Sequence, residues 1–207
     1  MIYCAMLNVM SETKVQTFDS LAAQILLLPA PTVIAIDGPS ASGKSTFASR
    51  LSRVLECQCV HTDDIAWNHS FFDWWPLLTE HILKPFKAGK AIAWTPDAWL
   101  THERSGAINL QPAPILIVEG VSSTRRELSH WIDYTVWMET DVQLAETRGL
   151  ERDGPDGYDF WFEWQRSEQP FFAEDQPWTR AALMVDGAPS SAHDVDTQFV
   201  TGAVRDG

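Results

Sequence analysis

The chain has 207 residues, 45% of them hydrophobic and 21% charged, enough for one domain with a substantial core and too apolar for a disordered chain. Its formal net charge of −13 argues against a nucleic-acid backbone or an anionic membrane surface as main partner. Cys4, Cys57 and Cys59 make no even disulfide framework and suit a reducing, cytoplasmic setting, and neither a secretory signal nor a membrane-length apolar run is evident.

In chain order, residues 1–14 read as a loose or locally paired leader. Phe18, Leu21, Ala22, Ile25, Leu26 and Leu28 form a helical stripe within a leader-plus-helix segment spanning 1–31, ended by Pro29 and Pro31. The run Thr32-Val33-Ile34-Ala35-Ile36-Asp37 reads as a buried strand. It leads into Gly38-Pro39-Ser40-Ala41-Ser42-Gly43-Lys44-Ser45, which fits G-x-x-x-x-G-K-[ST] at every fixed position. A helical pattern follows, from Thr46 to about Glu56. Strand, glycine-rich loop and helix in this order form a phosphate cradle, because loop amides and the positive end of the helix point at the anion. Lys44 would reach the outer phosphates of ATP, and the Ser45 hydroxyl would ligate Mg²⁺.

A second strand, Gln58–His61, ends in Thr62-Asp63-Asp64. Alternation puts Cys57, Cys59 and His61 on one face, but the spacing matches no common zinc pattern. An aromatic-rich stretch holds Trp67, Phe71, Phe72, Trp74 and Trp75. A helix from Trp74 to Lys87 follows, blemished by Pro85 and ended by Gly89. Ala91–Trp94 reads as a short strand and 96–104 as irregular. Ile115–Val118, Tyr134–Met138 and Ala182–Val185 read as further strands, and Asp141 caps a helix running to Arg152. After the turn at 154–157, an amphipathic segment fills 158–172, and the polar tail 188–207 is expected to be partly ordered. Strands alternating with helices predict an α/β fold of the P-loop NTPase kind over 32–187. Its open, mostly parallel five-stranded sheet has helices on both faces and a helical lid near 148–172, with ligands at the strands' carboxyl ends.

The surroundings of the loop bear on what it does. No lysine is preceded by Asn, so no guanine-reading N-K-x-D segment exists, and no transporter-type signature helix is present. A small-molecule kinase needs an acid beside the loop, an enclosed acceptor pocket and arginines over the transferring group. Asp63 and Asp64 leave the sheet on the loop's edge. One of them would hold or deprotonate the acceptor hydroxyl, and the other would assist Mg²⁺ through water or the substrate. Glu119 closes the buried strand as a Walker-B-type acid would, beside Mg²⁺. Arg148 and Arg152 share one helix face at i, i+4, next to a Gly/Pro hinge. Two other readings stay open: a regulatory nucleotide-binding ATPase without an acceptor, and a mononucleotide kinase, for which Arg104, Arg125 and Arg126 are the available cations. Oligomeric state stays open too, a homo-oligomer included.

Several blocks resemble the uridine kinase branch of small phosphate-loop kinases, which also includes pantothenate kinase and phosphoribulokinase. Asp63-Asp64-Ile65-Ala66 is similar to the family's D-S-F-Y, and Asn68-His69-Ser70-Phe71-Phe72-Asp73 to D-H-P-D-A-F-D. Asp97-Ala98-Trp99-Leu100-Thr101-His102-Glu103-Arg104 is similar to Y-D-F-x-x-H-S-R, Val118-Glu119-Gly120 to F-E-G, and Arg148 with Arg152-Asp153 to R-x-x-x-R-D. Trp178–Val185 resembles T-K-R-Y-A-D-x-x-x-P. The resemblance implies that Asp63 is the catalytic acid, that His102 contacts the base of a nucleoside acceptor, and that Arg148 and Arg152 serve the lid. The family's ribose-binding acid falls on Asn68, its base-side tyrosine on Asp97, and Ala66 replaces the tyrosine of D-S-F-Y.

Overall fold

A computed structural model describes residues 13–202; the leader expected over 1–14 and Cys4 lie almost wholly outside these residues. Strand β1 (Lys14–Thr17) runs directly into helix α1 (Phe18–Ile25), whose first turn is capped by the Thr17 hydroxyl accepting from the Ser20 amide. Then come β2 (Thr32–Asp37), α2 (Lys44–Leu55), β3 (Gln58–His61) and α3 (Thr62–Ala66). Helices α4 (Trp75–Leu78) and α5 (Lys84–Lys87) are joined through one wide π turn at Thr79–Leu83. The predicted single helix is therefore continuous. A wide turn beside Pro85 accommodates a residue that has no N–H to give an ordinary helical bond.

Strands β4 (Ile92–Trp94) and β5 (Ile108–Leu110) flank α6 (Asp97–Thr101), so the stretch expected to be irregular carries a short helix. The chain continues through β6 (Ile115–Glu119), β7 (Tyr134–Glu139), α7 (Val142–Asp153), α8 (Tyr158–Asp175), β8 (Leu183–Asp186) and β9 (Gln198–Thr201). The main sheet has the order β1-β9-β8-β7-β2-β6-β3. Strands β8, β7, β2, β6 and β3 are parallel, and β9 and β1 extend the β8 edge, each antiparallel to the strand before it. Two expectations are corrected. The sheet has seven strands rather than five, because residues assigned to leader and tail pair with each other as β1 and β9. The strand at 91–94 joins β5 in a separate two-stranded sheet.

Central strands are covered on both faces, which explains their unbroken apolar runs. Val33, Leu116 and Val118 face one core with Trp74, Leu78 and Ile82. Ile34, Ile36, Ile115 and Ile117 face the other, with Phe18, Phe47 and Phe199. Among the described residues no helix is long and apolar enough to cross a membrane.

β2 ends on a carboxylate with no solvent exposure, Asp37. It accepts from the amides of Gly38 (2.7 Å), Ser122 (2.8 Å) and Thr124 (3.0 Å) and from the Thr124 hydroxyl (2.7 Å). Burial pushes its pKa up to about 6, against these donors and the Lys44 charge. The group ties the first residue of the phosphate loop to the turn after β6. Asp37→Ala would strand three backbone amides, and we expect a loss of about 3 kcal/mol in urea unfolding. An unchanged midpoint would show that these bonds are replaceable by water.

Candidate active site

The loop between β2 and α2 is held by backbone geometry. Gly43 sits at φ 94 as the N-cap of α2 with no side-chain cap, so the first-turn amides of a twelve-residue helix keep their donor capacity. Residues Ser40 through Thr46 form one end of a cavity of about 880 Å³. Lys44 is nearly buried, and its ammonium donates to the Pro39 carbonyl at 2.7 Å, folding back over the loop.

Glu119, at the end of β6, is also nearly buried. One oxygen accepts from the Ser45 hydroxyl (3.2 Å), and the other meets His61 Nδ1 at 2.6 Å. That bond is the main cause of the raised His61 pKa, opposed by partial burial. Close approach of the next residue is essential here. A Cβ at Gly120 (φ 141) would lie 1.9 Å from the Thr62 hydroxyl, so Gly120 lets the Glu119 turn pass against the start of α3.

Asp63, in the first turn of α3, opens onto the same cavity. Its pKa is raised chiefly by desolvation and further by Glu119, while Lys44, His61 and Arg152 oppose the rise. Asp64 turns away. Its carboxylate is bound by Arg104, whose guanidinium lies 3.7 Å above the Trp99 ring and 5.2 Å from Trp67. Trp99 donates to the Asp64 carbonyl at 2.8 Å, and His102 meets Trp67 edge-on. His102 and Arg104 pack on Trp67, Arg104 holds Asp64 of α3, Asp97 starts α6, and none of the four lines the cavity. Asn68 and His69 do line it, as do Phe71 and Trp74.

The opposite wall comes from α7 and α8. Arg148 lines the cavity and donates to the Gly187 carbonyl at 3.0 Å, and Arg152 makes two bonds to Asp153 (2.6 and 2.9 Å). The Trp161 ring packs against α7 at Gly149, where a Cβ would come within 2.1 Å of it. Gly149→Ala should therefore push Trp161 off α7 at a cost of about 1–3 kcal/mol of overpacking. A lowered melting temperature would register it, and an unchanged one would mean that the helix pair shifts freely.

Three further groups stand at the site. His61 shares a face of β3 with the cysteines in the sequence pattern, yet it partners Glu119. Asp37 was visible as a charge ending a wholly apolar strand. Glu168 is 2% exposed and accepts from the Ser40 amide and hydroxyl, both at 2.8 Å, and from Trp164 Nε1 at 3.0 Å; its signal was a carboxylate one helical turn beyond Trp164. Burial pushes the thiols of Cys57 and Cys59 up to about 11 and about 12, which leaves them unreactive. Among the described residues no His, Cys, Asp and Glu group of three or more gathers to hold a metal.

Ser45 and Glu119 are hard oxygen donors in contact at the loop, a set that fits Mg²⁺ completed by phosphate and water oxygens. Loop amides, an uncapped helix start and Lys44 fit a polyphosphate.

Comparison with known proteins gives concordant results. The cytidylate kinase family profile matches residues 34–71. A uridine kinase of Proteus mirabilis (strain HI4320) is 28% identical over 146 residues, covering 59% of this chain and 68% of its own. A uridine kinase of Staphylococcus aureus (strain JH9) is 30% identical over 146 residues, covering 61% and 70%. A solved structure described as a possible uridine kinase from Bacillus stearothermophilus superposes with a TM-score of 0.54 at 20% identity, covering 81% of this chain and 96% of that one; it establishes the shared fold.

Proposed function

The chain belongs to the uridine kinase family, and from that premise we propose that it moves the γ-phosphoryl group of ATP, with Mg²⁺, to a hydroxyl of an uncharged nucleoside-like acceptor. The observation that carries this reading is Asp63. It stands in one cavity with the phosphate loop, Arg148 and Arg152, and faces an aromatic wall formed by Trp67, Phe71 and Trp164.

In the proposed reaction the loop amides and Lys44 hold the triphosphate. Asp63 accepts the acceptor hydroxyl's proton as that oxygen attacks the γ-phosphorus, and the bond to the β-phosphate oxygen breaks to release ADP. Ser45 and Glu119 would hold Mg²⁺, which supplies charge neutralisation at the phosphates. Arg148 and Arg152 would leave the Gly187 carbonyl and Asp153 to close over the transferring group. The aromatic side chains suit a flat base and keep water out.

The cytidylate kinase match favours a second reading, with a mononucleotide acceptor. Such an acceptor needs cations for its own phosphate. Arg104 is bound to Asp64, Arg125 to Glu127, and Arg126 and Arg180 to Asp175. This pairing of the available arginines supports the uncharged acceptor.

The test is ADP release with nucleosides, mononucleotides, pantothenate and sugar phosphates as acceptors. Nucleoside-dependent release is expected. Acceptor-independent release would instead support a regulatory ATPase, and dependence on mononucleotides the second reading. With Asp63 as base, kcat/KM should rise with pH through its raised pKa, so the acid limb lies above the ordinary carboxylate value of about 4. A limb at or below that value would remove the desolvated base.

A further inference from the structure

A buried carboxylate joins α8 to the phosphate loop across the cavity, and the proposed chemistry does not use it. Glu168 lies in the second half of α8, 2% exposed, with its carboxylate on the phosphate loop. Oε1 accepts from the Ser40 amide and hydroxyl, both at 2.8 Å, and from Trp164 Nε1 at 3.0 Å, while Oε2 accepts from Gln165 at 3.0 Å. The Trp164 indole also donates to the Ser40 hydroxyl at 2.7 Å, closing a three-membered ring of bonds. No salt bridge to Glu168 occurs among the described residues: its donors are neutral. Trp164 is held edge-on to Phe71 at 5.1 Å and stacked on Phe72 at 5.4 Å, so the helix that grips the donor loop also roofs the acceptor end.

We propose that Glu168 is a positioning residue that latches α8 to the phosphate loop, so that the aromatic roof is set over the acceptor only while the loop holds its shape. The latch makes acceptor binding and water exclusion depend on the loop's third residue, Ser40. This rests on the kinase reading above. It acts through α8 and the phosphate loop, not by touching the transferred group.

The test compares wild type, Glu168→Ala, Glu168→Gln and Trp164→Phe, each first checked for an intact melting transition. Glu168→Ala should raise the nucleoside KM and the ratio of ATP hydrolysis to phosphoryl transfer by about tenfold each, the equivalent of one charged hydrogen bond. Its ATP dissociation constant should stay within about threefold, and amides of 158–175 should exchange faster with deuterium. Glu168→Gln keeps an oxygen for the Ser40 amide and should recover part of the KM. Trp164→Phe keeps the ring contacts, loses the indole donor, and should show a weaker form of the same defect. An unchanged KM and hydrolysis ratio in Glu168→Ala overturns the latch. So does ATP binding that tightens alone, which would make the carboxylate a competitor of the triphosphate. If wild type transfers to no nucleoside, the kinase reading fails, and the exchange rate of α8 in Glu168→Ala still decides the latch.

Discussion

Asp63→Asn should lower kcat by about a thousandfold while leaving the ATP dissociation constant near the wild-type value. The substitution keeps the size and the cavity position of the side chain but removes the acceptor for the hydroxyl's proton. The local field makes the role specific. Burial and Glu119 push the Asp63 carboxyl towards its neutral form, whereas Lys44, His61 and Arg152 pull it towards the charged one. A carboxylate balanced this way sits nearer the working pH than an exposed Asp does, the condition under which a general base is effective. Asp64→Asn is the control. Its carboxylate is bound by Arg104, which packs on the Trp99 ring, so its loss should disturb the α6 region and alter kcat far less. Equal losses in the two variants, read by steady-state kinetics, would sink the assignment of Asp63.

Lys44→Ala should reduce kcat/KM for ATP by about a hundredfold to a thousandfold. Lys44 is 6% exposed; its ammonium is held against the Pro39 carbonyl, and the residue stands at the start of α2 where the loop amides converge. Removing it deletes the mobile positive charge that follows the γ-phosphate, while the amides continue to hold the rest. Lys44→Arg should not restore activity, since a planar guanidinium is too wide for a buried slot shaped round a compact ammonium. Titration with a fluorescent ATP analogue separates binding from catalysis. Near-normal turnover in either variant would mean that the loop binds something other than the transferred phosphate.

Legibility in the sequence followed how local each interaction is. The phosphate loop reads directly because its letters are backbone requirements: Gly43 at positive φ, and a lysine at the first position of a helix. The inner strands read as apolar runs because two cores cover them. β1 and β9 were illegible, since four residues such as Lys14-Val15-Gln16-Thr17 have no pattern of their own and gain a partner 187 residues away only after folding. At the site, Asp63, Glu119 and the 148–152 arginines could be placed by strand and helix ends. The separation of Asp64 from Asp63 could not, because it depends on Arg104, 40 residues on, pairing with Asp64 and packing on Trp99. Nor could Glu168, whose partner Ser40 lies 128 residues away.

Phe47, on the helix that carries Lys44, packs against Phe18 at 5.1 Å and against Phe199 at 5.3 Å, and Phe18 meets Phe199 at 5.2 Å. Three rings thus unite the first helix, the loop's helix and the last strand on the side of the sheet away from the acceptor roof. Contacts this distant in sequence close late, after most of the chain has collapsed. During synthesis the helix behind the loop would lack its third ring until residue 199 clears the ribosome. A stalled nascent chain ending before β9 should bind nucleotide more weakly than one extended past it, and equal binding would show that two rings suffice. The order of synthesis then also sets when the protein gains its first ligand.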